Sequence, residues 1–157
     1  FLLEILSDWQ ITIPEIGTIK AKEPPIVIIT SNRTREVHDA LKRRCLYHFV
    51  DYPDLDQELK ILKSRVPNIK EDLSIAIVHF VKELRKIELF KQPGIAETID
   101  WAQAMVELNY ISIDPEVLES TIGTLLKNQE DIKKLKQSEA AKILAIIQTE
   151  ISLINRK

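Results

Sequence analysis

Glycine is nearly missing from this chain. Gly17, Gly94 and Gly123 are the only three in 157 residues, and no two lie close together. A loop that cradles phosphate needs several glycines within a few positions, so that backbone N–H groups approach the anion with no Cβ in the way. The sequence holds no such loop. A single cysteine, Cys45, excludes an internal disulfide and suits a reducing cytoplasm, which is the expected location. Neither sign of charge dominates: 22 Lys+Arg against 24 Asp+Glu leave a formal charge of -2. That balance gives no electrostatic case for nucleic acid or an anionic membrane as partner. No apolar run approaches the roughly 18–20 residues of a membrane span. Phe1-Leu2-Leu3 has no basic stretch before it and no cleavage site after it, so it does not read as a signal peptide. What remains is globular composition, 45% hydrophobic and 29% charged.

The chain begins inside a helical pattern, with Phe1, Leu2, Ile5 and Leu6 on one face and Ser7-Asp8 ending the run. A start without methionine or cap leads us to expect a portion of something longer. Gln10–Lys22 alternates apolar and polar residues around Pro14 and Gly17, the pattern of a β-hairpin. After Pro24-Pro25, Ile26–Ile29 is apolar on both faces, as in a strand buried within a parallel sheet. A helix is expected next, with Ser31 or Thr34 as N-cap, Val37, Ala40 and Leu41 on one face, and a basic end at Lys42-Arg43-Arg44. Leu46–Val50 reads as a second short strand. Beyond Pro53 the strand signals stop. Helical patterns run over 55–66, 70–89, 94–109, 115–137 and 138–155, with breakers at Pro67-Asn68, Pro93-Gly94 and Asp114-Pro115. A domain boundary near residue 54 follows.

The segment Thr30-Ser31-Asn32-Arg33-Thr34-Arg35, then Asp39-Ala40-Leu41-Lys42-Arg43-Arg44-Cys45-Leu46-Tyr47 and Asp51-Tyr52-Pro53, resembles the MoxR family of AAA+ ATPases, with its CoxD-like branch the nearest match. Ala96-Glu97-Thr98-Ile99-Asp100-Trp101-Ala102 is also similar to that branch. The resemblance covers about residues 1–110 and is architectural beyond. It implies an α/β remnant of a P-loop AAA+ core over 1–53, two short strands plus a β-hairpin without the Walker A and Walker B motifs, followed by an all-α helical lid over 54–157. The whole is mostly α.

By the same resemblance Asn32 is sensor 1, an amide that senses the γ-phosphate or orients the attacking water without adding charge. Arg44 is the arginine finger that enters a neighbouring subunit's site, with Arg43 as fallback. Outside such a family, Asn32 is a turn asparagine and the two arginines a solvated helix end. Family members usually carry a sensor 2 arginine at the start of the third lid helix. Here Glu97 and Thr98 stand in that region, and Lys91 is a candidate substitute. The hairpin matches an insertion that can face a pore or substrate; the plainer alternative is an edge hairpin.

The parent so implied binds ATP and Mg²⁺, self-associates as a ring, and remodels or matures a partner protein, for instance a metal- or cofactor-containing enzyme. The fragment alone is expected neither to bind nor to hydrolyse ATP. The alternative is a non-enzymatic helical interaction module. His38, Cys45, His48 and His79 make no metal-ligand pattern, and no convincing base accompanies Cys45 as a nucleophile. Trp9, Phe80, Phe90 and Trp101 read as core. Glu130, Asp131, Lys133, Lys134 and Lys136 read as a solvated face. Ile143, Leu144, Ile147 and Ile151 either close the bundle or meet a partner.

Overall fold

The computed structural model describes residues 2–31 and 37–154, and the chain divides into two compact units, Phe1–Val50 and Asp51–Lys157. It is mostly helical, with one two-stranded antiparallel sheet among the described residues. No described helix is long and apolar enough to cross a membrane. The division falls between Val50 and Asp51, where the sequence pattern places it after Pro53.

In the first unit, α1 (Leu2–Asp8) leads into β1 (Gln10–Ile13) and β2 (Gly17–Lys20). The strands pair in the register Gln10↔Lys20, Ile11↔Ile19, Thr12↔Thr18 and Ile13↔Gly17. Gly17, at φ +91, supplies the positive φ that this short loop needs at its end. Glu4 ties the helix to the hairpin: its carboxylate accepts from Thr12 Oγ1 at 2.6 Å. That bond, above all, holds the exposed Glu4 carboxyl below its ordinary pKa. Trp9 turns the chain between α1 and β1 with φ +53, a left-handed conformation that costs a bulky side chain roughly 1–2 kcal/mol.

Two expectations fail in this unit. Ile26–Ile29 and Leu46–Val50 form no strand, and Ile26, Leu46 and Val50 are 94%, 104% and 81% exposed. An apolar β-branched run needs backbone partners on its flanks to become a ladder, and the described sheet is only β1 with β2. The expected helix ending at Arg43-Arg44 is also shorter. It is α2 (Asp39–Lys42), capped by His38, whose Nδ1 accepts from the Ala40 N–H at 3.2 Å. Thr34, one of its expected caps, lies outside the described residues. No described residue of this unit is buried.

The second unit holds the core. Its helices are α3 (Leu55–Arg65), α4 (Glu71–Leu84), α5 (Ile95–Glu107), α6 (Pro115–Leu125), α7 (Gln129–Lys134) and α8 (Ala140–Ile154), with a π-helical turn at Leu135–Glu139 joining the last two. Short polar side chains start several of them. Asp54 accepts from Gln57 N–H, and Asp114 from Val117 N–H with Pro115 at the first helical position. The expected single helix over 115–137 is broken because Asn128 caps α7, accepting from the N–H groups of Glu130 and Asp131. At the end of α5, Asn109 takes the left-handed conformation at φ +58. Tyr110 N–H then reaches Met105 O and Asn109 N–H reaches Val106 O, the paired bonds of a Schellman cap.

α3 packs beside α4 and α5, α5 beside α6, and α4 beside α8. Phe80 and Trp101 meet at the centre, fully buried, with ring centroids 5.2 Å apart and planes tilted 55°. Burying such a side chain contributes roughly 1.5–3 kcal/mol. The indole N–H is satisfied: Trp101 Nε1 donates to Thr121 Oγ1 at 2.9 Å, and Thr121 donates onward to Val117 O at 2.6 Å. Ile143, Leu144 and Ile147 of α8 are buried in the same cluster. His79 of α4 pairs with Glu150 of α8. Phe90, expected in the core, is 87% exposed.

Candidate functional site

The residues singled out from the sequence fall into both units. Asn32 lies outside the described residues. In the first unit Arg43 is exposed at the end of α2. Arg44, also exposed, is folded back onto its own unit: Nε donates to Ser7 Oγ at 2.7 Å and Nη1 to Ala40 O at 2.9 Å. Neither of these two described partners is a carboxylate.

The better-built polar site is in the second unit, at the start of α5. Pro93-Gly94 stops the preceding loop, and Glu97, in the first turn, reaches back to Gly94 N–H with Oε2 at 3.0 Å. This is half a capping box, since glycine has no side chain to return the bond. Lys91 Nζ lies 3.3 Å from the other Glu97 oxygen. Partial burial pushes the Glu97 carboxyl up, yet bonds from its own N–H, from Lys91 and from the Gly94 N–H outweigh that and hold it below its ordinary 4.5. The end of α5 that would attract an anion is therefore already occupied by the chain's own carboxylate. Thr98 is buried, with Oγ1 3.0 Å from Gly94 O and 3.4 Å from Glu58 Oε1. Its hydroxyl serves the interior and does not face solvent.

Beside Thr98 sits an ion pair that the sequence reading missed. Arg85 grips the buried Glu58 with both arms, Nη1 to Oε2 at 2.7 Å and Nη2 to Oε1 at 2.8 Å, while Nε donates to Pro93 O at 2.9 Å. The guanidinium carbon lies 4.3 Å from the centre of the Tyr52 ring. Glu58 is 3% exposed, and every oxygen and nitrogen of the group has a partner. The spacing of α3 held a clue. Glu58 stands three residues after Leu55 and four before Leu62, on the helix's apolar face. Nothing comparable points to Arg85, which closes α4 in a charged stretch.

Asp131 is the second missed residue. It is 4% exposed, and its two oxygens accept from Phe90 N–H at 2.8 Å and Lys91 N–H at 3.1 Å. The expected solvated face of α7 is thus an internal anchor at this position, and it fixes the loop that carries Lys91. A groove of about 290 Å³ between α6 and the start of α8 is lined by Leu118, Ile122 and Leu144 and bridged by Lys136 and Glu119 at 3.2 Å. It lacks the converging polar groups of a specific ligand pocket. No protein-family model, curated protein or solved structure matches the chain.

Proposed function

We propose that the chain is the C-terminal portion of a MoxR-like AAA+ ATPase, in which the first unit belongs to the α/β ATP-hydrolysing core and the second is the helical lid. What carries this reading is the contrast between the units. The second has a complete, satisfied core, whereas the first buries no described residue and leaves the β-branched run Ile26–Ile29 and the run Leu46–Val50 unpaired by any described strand and exposed to solvent. Such runs fit strands of a parallel sheet whose remaining strands come from elsewhere in the protein.

On this reading Asn32 is sensor 1 and Arg44 acts in trans on a neighbour's nucleotide, with Arg43 as fallback. The lid meets the nucleotide without a sensor 2 arginine, since Glu97 occupies the start of α5. The parent, a cytoplasmic ring that binds ATP and Mg²⁺, couples hydrolysis to the maturation of a protein substrate, for instance a metal- or cofactor-containing enzyme. The chain by itself neither binds nor turns over ATP. A second reading, a non-enzymatic helical interaction module, is favoured by the self-sufficient core of the second unit.

The coding sequence upstream of Phe1 separates the two. A GxxxxGK[ST] segment within about 100 residues supports the ATPase; an initiator codon directly upstream supports the module. Phosphate release by the purified chain, in proportion to its concentration and with Mg²⁺-ATP supplied, would overturn the claim that it is inactive alone.

A further inference from the structure

The Arg85 guanidinium joins three stretches that are far apart in sequence. Its two terminal nitrogens hold Glu58 of α3, its Nε holds Pro93 O at the threshold of α5, and its face lies against Tyr52, the second residue of the helical unit. Its own backbone carbonyl accepts from Gln92 Nε2 at 2.8 Å, which secures the same loop a second time. Glu58 in turn faces Thr98, whose hydroxyl also reaches Gly94 O. A guanidinium is planar, and all its donors lie in that plane. The fork to Glu58 therefore sets at once the direction of Nε toward Pro93 and the face offered to Tyr52. Tilting the plane to lose one contact misaligns the others.

We propose that Arg85 is a positioning residue that couples the entry of the chain into the helical unit, at Tyr52, to the first turn of α5, at Gly94–Thr98. Whatever displaces Tyr52 loosens the start of α5, and whatever draws on the start of α5 is felt at Tyr52. The coupling belongs to the helical unit and stands whether or not that unit is a lid. A lysine keeps the charge but has neither fork nor flat face, so it supports the fold without the coupling.

The test uses the full 157-residue chain. Tyr52 is 46% exposed, so Tyr52→Leu folds. We expect hydrogen exchange of the Gly94 and Thr98 amides to accelerate about fivefold, with the central amides of α4 and α6 unchanged. In the opposite direction, Thr98→Val should shift the Tyr52 ring resonances and raise chymotryptic cleavage at Tyr52. In an Arg85→Lys background, Tyr52→Leu should no longer alter exchange at Gly94 and Thr98. Unchanged exchange there in Tyr52→Leu, or equal acceleration throughout the helical unit, overturns the proposal. Should Arg85→Lys fail to fold, the reciprocal effects of Tyr52→Leu and Thr98→Val decide alone.

Discussion

Replacing Asp131 by alanine removes a carboxylate that looks, from its neighbours Glu130 and Lys133, like part of a solvated helix face. In the structure it is 4% exposed and holds the backbone N–H groups of Phe90 and Lys91. A hydrogen bond to a charged acceptor contributes roughly 1.5–3 kcal/mol when its groups are cut off from water. Phe90 and Lys91 reach solvent, so the lower figure applies to each bond, about 3 kcal/mol for the pair. Asp131 also sits in the first turn of α7, where a negative charge interacts favourably with the helix dipole by a few tenths of a kcal/mol. Asp131→Ala should therefore lower the unfolding free energy by ~3 kcal/mol, and Asp131→Asn, which keeps one acceptor, by roughly half as much. Denaturant unfolding followed by circular dichroism reads both values, and hydrogen exchange should show the Phe90 and Lys91 amides losing protection first. Glu130→Ala and Lys133→Ala, whose ion pair is exposed, serve as controls and should stay within about 0.5 kcal/mol of the parent. If Asp131→Ala falls among those controls, the buried-anchor account is wrong.

Asn109→Gly should stabilise the chain by a few tenths of a kcal/mol and Asn109→Val destabilise it by about 1–2 kcal/mol, because φ there is +58 and a β-branched residue resists that conformation; thermal melts check both. Trp101→Phe loses the bond to Thr121 and part of the ring's contact with Phe80, which should cost about 1–3 kcal/mol in chemical denaturation. The Glu97 carboxyl titrates below its ordinary 4.5, so its ionised form is favoured in the fold. Its contribution is present above pH 4.5, the unfolded value, and is lost as pH falls through the lower folded pKa. Acidification below pH 4.5 should thus destabilise the parent more than Glu97→Gln; equal acid sensitivity in the two would contradict the capping role.

Local chemistry was readable wherever its partner is near in sequence. The hairpin follows from alternation around Pro14 and Gly17, and α6 from Asp114-Pro115. The Asn128 break was also available, as a cap residue followed by two acids, but the long apolar period across it masked the signal. What was not readable depends on partners across the fold. Asp131 meets the loop at Phe90 and Glu58 meets Arg85; the spacing of α3 puts Glu58 on an apolar face, but nothing in either segment names the partner across the fold. Ile26–Ile29 shows the opposite failure: its composition asks for a sheet, and composition cannot supply the strands beside it. Of the candidate site, the sequence located the start of α5 through Gly94; the self-capping by Glu97, three residues on, is a local signal that went unread, while the burial of Thr98 against Glu58 depends on the fold.

The π-turn at Leu135–Glu139 has a consequence for phase. From Gln129 to Ile154 the chain follows one continuous helical path, α7 through the turn into α8. At about 100° per residue, an uninterrupted α-helix would set the apolar side chains of α8 roughly a quarter-turn away from those of α7. A π-turn absorbs one extra residue, and subtracting it brings Ile132, Leu135, Ile143, Leu144, Ile147 and Ile151 into a single stripe about 100° wide. The turn works as a phase corrector, making one seam out of two sequence segments that are out of step by one position. Loss of a residue at Gln137 or Ser138 would turn this stretch into plain α-helix and leave the seam aligned, so this is a place in the bundle where the chain can shorten without turning its core outward.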